Sequence, residues 1–317
     1  MKKKILVLVL AVSIAVLACD FEDGKAAYDA GNYAKAVSKF EKAAEQGDAK
    51  AQYNLGLMYY SGRGVKQNYA EALRWYTKAA EQGDVHAKYN LGQIYRQGQG
   101  VKQDDTKAVG WYTKAAEQGN AKAQGHLGWM YYNGRGVEQN DALAVDWYTK
   151  AAEQGDVYAQ TNLGLMYYNG KGVKQNDALA VRWHTKAAEQ GDAKAQYNLG
   201  VMYGKGKGVA QNYAEALRWL TKAAEQGHAS AQAALGYMYS NGRGVEQNDA
   251  LAVRWYTKAA EQGIVYAQNN LGLMYSVGRG VEQSDAVALR WWEIAAEQGD
   301  ADAQQALDII AKQAKKP

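Results

Sequence analysis

The residues of this chain best suited to chemistry are four histidines, His86, His126, His184 and His228, and a single cysteine, Cys19. A zinc site needs three or four His, Cys or carboxylate ligands converging on one point. The histidines stand instead at four different places in a repeated pattern, with no cysteine and no Asp/Glu cluster at ligand spacing beside them. No metal and no cofactor is expected. Covalent catalysis has no better footing. There is no Ser-x-x-Lys motif, and the glycine pairs lie between helical patterns without the strand that a phosphate loop requires. Glu81 recurs as eight copies at one repeat position, and identical copies argue for structure rather than for one active site. What remains is a large set of tyrosines and tryptophans among scattered cations. Such residues anchor binding surfaces, because a rigid ring with a polar edge supplies contact area at low entropic cost.

The elements that must position them are legible in the repetition. Ala-Ala-Glu-Gln-Gly begins at Ala43, Ala79, Ala115, Ala151, Ala187, Ala223, Ala259 and Ala295, each 36 residues after the last. A unit of that size cannot bury its apolar face alone and must stack on its neighbours. In the unit Asp48 to Gly83, Ala51, Leu55, Met58 and Tyr59 fall at helical spacing, and so do Ala72, Trp75, Tyr76 and Ala79. Two amphipathic helices are expected, joined through Gly62-Arg63-Gly64-Val65-Lys66-Gln67. Asn68 is a good N-cap for the second helix, and Asp104, Asn140, Asn176, Asn212, Asn248 and Ser284 repeat the capping chemistry. The only proline is Pro317, so nothing inside the array breaks a helix.

The string A-x-A-Q-x-N-L-G-x-M-Y, then G-x-G-V, then A-x-x-W-Y-x-K-A-A-E-Q-G, resembles the Sel-one-like repeat (SLR) branch of the tetratricopeptide superfamily from Asp48 to Gly299. The fold expected is all-α, an α/α superhelical solenoid of antiparallel helix hairpins. Seven units are read over 48–83, 84–119, 120–155, 156–191, 192–227, 228–263 and 264–299. Residues 19–47 are more similar to a plain tetratricopeptide hairpin acting as a cap, and 300–317 to a capping helix with a tail, in one continuous array. Repeat-invariant Leu55, Gly56 and Tyr59 are read as core, with the glycine admitting close approach of helices. The row from Trp75 to Trp291 is read as filling the space between hairpins, and the methionine row from Met58 to Met274 as packing.

Positions that vary between units are those that stacking does not dictate. In the first helix these are the third, sixth, tenth and thirteenth places, which share one face. The resemblance places that face on the concave surface of the superhelix, where related proteins bind peptides and partner proteins. The candidate partner-binding residues are Tyr53, Tyr60, Tyr89, Arg96, Trp129, Tyr132, Tyr158, Tyr168, Tyr197, Tyr237 and Tyr266. Tyr89, Arg96, Trp129 and Tyr132 break the repeat pattern most strongly. The alternative for many of these tyrosines is packing on the next hairpin with the hydroxyl in water. A second row, Arg63, Arg135, Lys171, Lys207, Arg243 and Arg279, interrupted by Gln99, forms either a basic ridge or a solvated edge.

The first nineteen residues carry an address. Lys2 to Lys4 precede an apolar run from Ile5 to Ala18 broken only by Ser13, the pattern of a secretory signal over 1–18 that is short for a membrane span. Val16-Leu17-Ala18-Cys19 resembles a bacterial lipobox, which implies lipidation at Cys19 and membrane attachment through the N-terminus; an ordinary cleavage after Ala18 is the alternative. Asp20 resembles an inner-membrane retention signal in enteric bacteria, a rule that varies between groups, so either membrane stays open. Without Lys2, Lys3 and Lys4 the formal charge falls from +4 to +1, too little for nucleic-acid binding. These readings converge on a monomeric, non-enzymatic interaction scaffold of the bacterial envelope with a protein or peptide partner. The alternative is an envelope protein that binds or weakly hydrolyses a β-lactam or cell-wall ligand, as described for cysteine-rich members of the same family, although their paired cysteines are missing here.

Overall fold

Each half of the repeat becomes one 13-residue helix with stop signals at both ends. The second keeps its apolar residues on one stripe, whereas the first carries Tyr53, Leu57 and Tyr60 outside the buried stripe of Ala51, Leu55 and Met58. In a computed structural model that describes residues 20–313, every regular element is helical and no strand occurs among the described residues. The signal read over 1–18 and the lipidation site Cys19 lie outside the described residues. No described helix is long and apolar enough to cross a membrane.

The chain divides into two compact units between Ala159 and Gln160, within α9 (Val157–Asn169). The first holds α1 (20–29), α2 (Tyr33–Glu45), α3 (Ala49–Ser61), α4 (Tyr69–Glu81), α5 (Val85–Gln97), α6 (Asp105–Glu117), α7 (Ala121–Asn133) and α8 (Asp141–Glu153). The second holds α10 (Asp177–Glu189), α11 (Ala193–Lys205), α12 (Tyr213–Glu225), α13 (Ala229–Asn241), α14 (Asp249–Glu261), α15 (Val265–Val277), α16 (Asp285–Glu297) and α17 (Ala301–Gln313). Within each unit successive helices pack in hairpins, and each hairpin packs on the next, as in an α/α solenoid.

The expected caps form. Asn68, Asp104, Asn140, Asn176, Asn212, Asn248 and Ser284 each accept backbone N–H bonds at the start of a second helix. First helices end on a left-handed glycine such as Gly62, at φ 72°. Two residues on, Gly64 has φ 73° and sits so close to Tyr33 that a Cβ would lie 2.5 Å from its carbonyl oxygen. The G-x-G-V loop is thus pressed onto the preceding hairpin.

At the centre of each hairpin a glycine of the first helix meets a bulky side chain of the second. A Cβ on Gly56 would lie 2.7 Å from Tyr76, on Gly92 2.6 Å from Tyr112, on Gly128 2.9 Å from Tyr148 and on Gly236 2.5 Å from Tyr256. His184 on Gly164, Leu220 on Gly200 and Trp292 on Gly272 keep the arrangement with other side chains. So does Phe40 on Gly24 in the leading hairpin. The glycine therefore admits the side chain of the residue after the tryptophan, rather than a neighbouring helix backbone. The tryptophans pack between hairpins as expected, Trp111 against the Tyr76 cluster and Trp147 against the Tyr112 cluster. A lysine three residues on covers the outer ring face, Lys78 4.4 Å from Trp75 and Lys150 4.0 Å from Trp147.

Neighbouring hairpins are also tied by glutamines. Gln52 donates to the Ala44 carbonyl at 3.0 Å, satisfying a group at the end of α2, and receives Gln82 Nε2 at 2.8 Å. The same relay runs from Gln226 through Gln196 to Ala188, and from Gln262 through Gln232 to Ala224. This gives the Gln of Ala-Ala-Glu-Gln-Gly a structural task. After α17 no second helix follows among the described residues; Asp308 replaces the glycine without a ring to obstruct, and Gln304 turns to Asp308 at 3.0 Å.

Two glycine substitutions separate these constraints. Gly92→Ala forces the methyl into Tyr112 and is expected to cost about 1–3 kcal/mol. A Cβ on Gly110, in α6, would meet nothing within 4 Å, so Gly110→Ala is expected to stabilise by about 0.5–1 kcal/mol. Urea unfolding of the two variants checks both signs.

Candidate functional site

In the first unit the variable face of the first helices carries a recess. A cavity of about 540 Å³ is lined by Tyr89 and Arg96 of α5, Lys122, Gly125, His126 and Trp129 of α7, and Asp156 and Tyr158 at the start of α9. Four of the sequence-derived candidates, Tyr89, Arg96, Trp129 and Tyr158, thus meet in one place. Tyr132 is not among the lining residues.

The polar groups of this recess are tightly organised. Gln93 Nε2 lies 2.8 Å from His126 Nε2, and Tyr89 Oη 3.3 Å from the same nitrogen. Because the amide nitrogen can only donate, His126 Nε2 accepts, and the imidazole is neutral. Burial, aided by the Arg96 and Lys122 charges, pushes its pKa down to about 4. The His126 ring stacks on Tyr112, 5.2 Å between centroids and 14° between planes. Arg96 Nη2 donates to Gln93 Oε1 at 3.1 Å. Asp156 caps α9 by accepting from Ala159 N at 2.8 Å, and burial raises its pKa. Neither Arg96 nor Lys122 forms an ion pair among the described residues. The recess therefore offers aromatic walls and two cations. Tyr158, 46% exposed, is edge-on to Tyr148 with centroids 6.2 Å apart.

The remaining candidates are dispersed. Tyr53 is half-buried between Tyr76 and His86, at 5.9 and 5.8 Å. Tyr60 lies edge-on to Tyr69 and lines a separate cavity of about 240 Å³ with Tyr76, Asn90 and Gln93. In the second unit Tyr168 and Tyr197 share a cavity of about 180 Å³ with His184 and Asn198. Tyr197 stacks on His228 at 4.7 Å. Tyr237 receives Arg243 over its ring at 5.2 Å, and Tyr266, edge-on to Tyr256, stands with Leu273 and Val277 as exposed apolar side chains of α15.

The sequence-derived candidates leave out His126, Lys122, Gly125 and Asp156, which the structure brings into the recess. A signal existed. His126 stands where Asn54, Asn90, Asn162, Asn198 and Asn270 stand in other units, and Gly125 where Tyr53, Tyr89 and Tyr197 stand. Members of the basic loop row are engaged with preceding hairpins: Arg135 pairs with Asp105 at 2.7 Å, Arg279 with Asp249 at 2.9 Å, and Arg63 lies over Tyr28 and Tyr33. Among the described residues no group of three or more His, Cys, Asp or Glu could hold a metal ion.

The Sel1 repeat family model matches residues 21–48, 49–84, 85–120, 121–156, 157–192, 193–228, 229–264 and 265–300. Its first match takes in the α1–α2 hairpin, where Phe40 on Gly24 reproduces the contact of the later units. A protective antigen present in uropathogenic Escherichia coli strains, displaying an SLR fold, is 41% identical over 94% of this chain, with a TM-score of 0.89. This chain spans 65% of that antigen's length. The Sel1 repeat protein from Oxalobacter formigenes is 35% identical with a TM-score of 0.70, the match covering 94% of this chain and 90% of that one. No curated protein matches the chain significantly.

The buried imidazoles make stability depend on pH. His184, 1% exposed, stands where Tyr76, Tyr112, Tyr148 and Tyr256 stand in other hairpins, and burial pushes its pKa down to about 4. The folded pKa lies below the unfolded value of about 6.5, so stability is full above pH 6.5. It falls as pH drops toward 4, where the unfolded chain takes up the proton first. The His184 contribution lost by pH 4 is roughly 3 kcal/mol. His184→Tyr is expected to flatten the urea midpoint between pH 7 and 4.5 relative to the wild type. Identical pH slopes for the two proteins would show that His184 is not held neutral by burial.

Proposed function

The chain belongs to the Sel1 repeat family, and on that footing we propose that it binds a protein or peptide on the face of its first helices. Proteins built of this repeat are generally non-enzymatic interaction scaffolds. The observation that carries the reading for this chain is the cavity of about 540 Å³ in which Trp129, Tyr158, Tyr89 and Arg96 converge. Its size is that of a ligand pocket, and its aromatic and arginine lining is the composition of interface anchors. The repeated rings and glycines hold the hairpins together, whereas the places of these residues vary between units and are not dictated by stacking.

The proposed setting is the bacterial envelope. The N-terminal signal and Cys19 support export and lipidation, which would leave the repeats tethered at a membrane surface by their N-terminal end. Two or more acyl chains give stable anchoring where one chain does not. A scaffold so tethered meets partners in the periplasm or at the cell surface, and the similarity to a protective antigen of uropathogenic E. coli is compatible with the latter.

Affinity capture from native membranes tests the proposal, with wild type compared to Trp129→Ala. Truncating a central aromatic anchor typically costs about 2 kcal/mol or more of binding, roughly thirtyfold in affinity. The variant is expected to stay folded by circular dichroism and to lose the captured partner. Equal capture by both proteins would exclude the recess as the binding site.

A further inference from the structure

The sixth place of the repeat is a tyrosine in three hairpins of the array and Thr161, Ala233 or Asn269 in three others, and each tyrosine packs against a neighbouring ring. Tyr53 lies between Tyr76 and His86, Tyr89 between Tyr112 and His126, and Tyr197 against His228. In α7 this place is Gly125. The structure does not require glycine there. Gly125 has ordinary helical backbone, and a Cβ would meet only the Asp156 carboxylate, at 3.4 Å. Gly128, one turn on, is different, because Tyr148 leaves no room for a Cβ. Gly125 therefore leaves open a place that three other hairpins fill with a ring, and the cavity of about 540 Å³ includes it.

The surroundings of the gap say what would fill it. His126, Trp129, Tyr89 and Tyr158 line it, so a flat aromatic group finds edges and faces on several sides. Arg96 and Lys122 add two positive charges without an ion-pair partner among the described residues. The single carboxylate of the lining, Asp156, is engaged in capping α9. His126, held neutral, adds no charge of its own. The recess thus has a net positive field around an aromatic-sized gap.

We propose that the gap at Gly125 receives an aromatic side chain of the partner, flanked by a carboxylate that pairs with Arg96 and Lys122. The ligand class is an acidic peptide segment with one aromatic residue, and its ring takes the place that Tyr53, Tyr89 and Tyr197 fill from within the chain. This inference rests on the scaffold reading and adds the chemistry of the partner to it.

The test uses the full-length mature chain and the acetylated, amidated tripeptide Glu-Tyr-Glu as probe, with Lys-Tyr-Lys as the charge control. Calorimetric titration at millimolar peptide is expected to show saturable binding of Glu-Tyr-Glu and none of Lys-Tyr-Lys. Gly125→Tyr supplies the missing ring from inside, at a place where three other hairpins carry tyrosine, and is expected to weaken the probe at least about tenfold. Lys122→Gln, at an exposed side chain, is expected to weaken it several-fold without altering the fold. The proposal is overturned if wild type does not bind the probe, or if Gly125→Tyr binds it as tightly as wild type. Native-membrane capture separates ring insertion from the scaffold reading beneath it. Partners retained by Gly125→Tyr but lost by Trp129→Ala would refute the ring-insertion chemistry and leave the scaffold standing. Partners retained by both variants would refute the scaffold site itself.

Discussion

A bulky side chain of each second helix lies against a glycine of its first helix, too close to admit a Cβ, and that steric fit sets the geometry of the hairpins. The glycine removes the only atom that would hold the ring away, and the ring fills the space where two helix axes approach. Tyr76, Tyr112, Tyr148, His184, Leu220, Tyr256 and Trp292 all perform this task, so the glycine is fixed while its partner varies in chemistry. Other features follow from that geometry. The tryptophan one residue earlier is directed between hairpins, a lysine covers its outer face, and the glutamine relay closes the helix ends. After α17 no second helix follows among the described residues, and Asp308 replaces the glycine.

Because stacking is secured by those positions, the third, sixth, tenth and thirteenth places of the repeat are released from it to differing degrees. Tyr53 and Tyr197 remain largely packing residues, since each lies against rings of its neighbours. In α7 the place of Tyr53 and Tyr197 is Gly125, and Tyr158 and Trp129 line a recess with Arg96 and Lys122. At a few positions, then, the packing row gives way to a surface with aromatic and cationic chemistry. Burial, with the field of the two cations added to it, keeps His126 neutral.

The hairpins, their caps and their loops are legible from residue types alone, because each is set by local rules: Asn68 or Ser284 before a helix, glycine after it, apolar residues at helical spacing. The ring that sits on Gly56 is harder to assign, since Trp75 and Tyr76 are adjacent and only the crossing of α3 and α4 decides which one faces the glycine. The Gln52–Gln82 pair and the Arg135–Asp105 pair join residues 30 apart in the chain, a distance at which local pattern carries no information about partners. Part of the recess is visible as breaks in the repeat at Arg96 and Trp129, whereas Tyr89 shares its place with Tyr53 and Tyr197. The roles of Lys122, Gly125 and Asp156 are hidden because a missing side chain and a helix cap look ordinary in sequence, and their meaning appears only when α5, α7 and the start of α9 are placed side by side.

Recognition at the first-helix face beside Gly125, rather than at the outer row where lysines cover the tryptophans, is open to a direct test by photo-crosslinking in cells. A photoreactive residue is placed once at Lys122, on the recess, and once at Lys150, over Trp147. A discrete adduct is expected from position 122 and none from position 150. An adduct formed only from position 150 would contradict recognition at the recess and move it to the outer row.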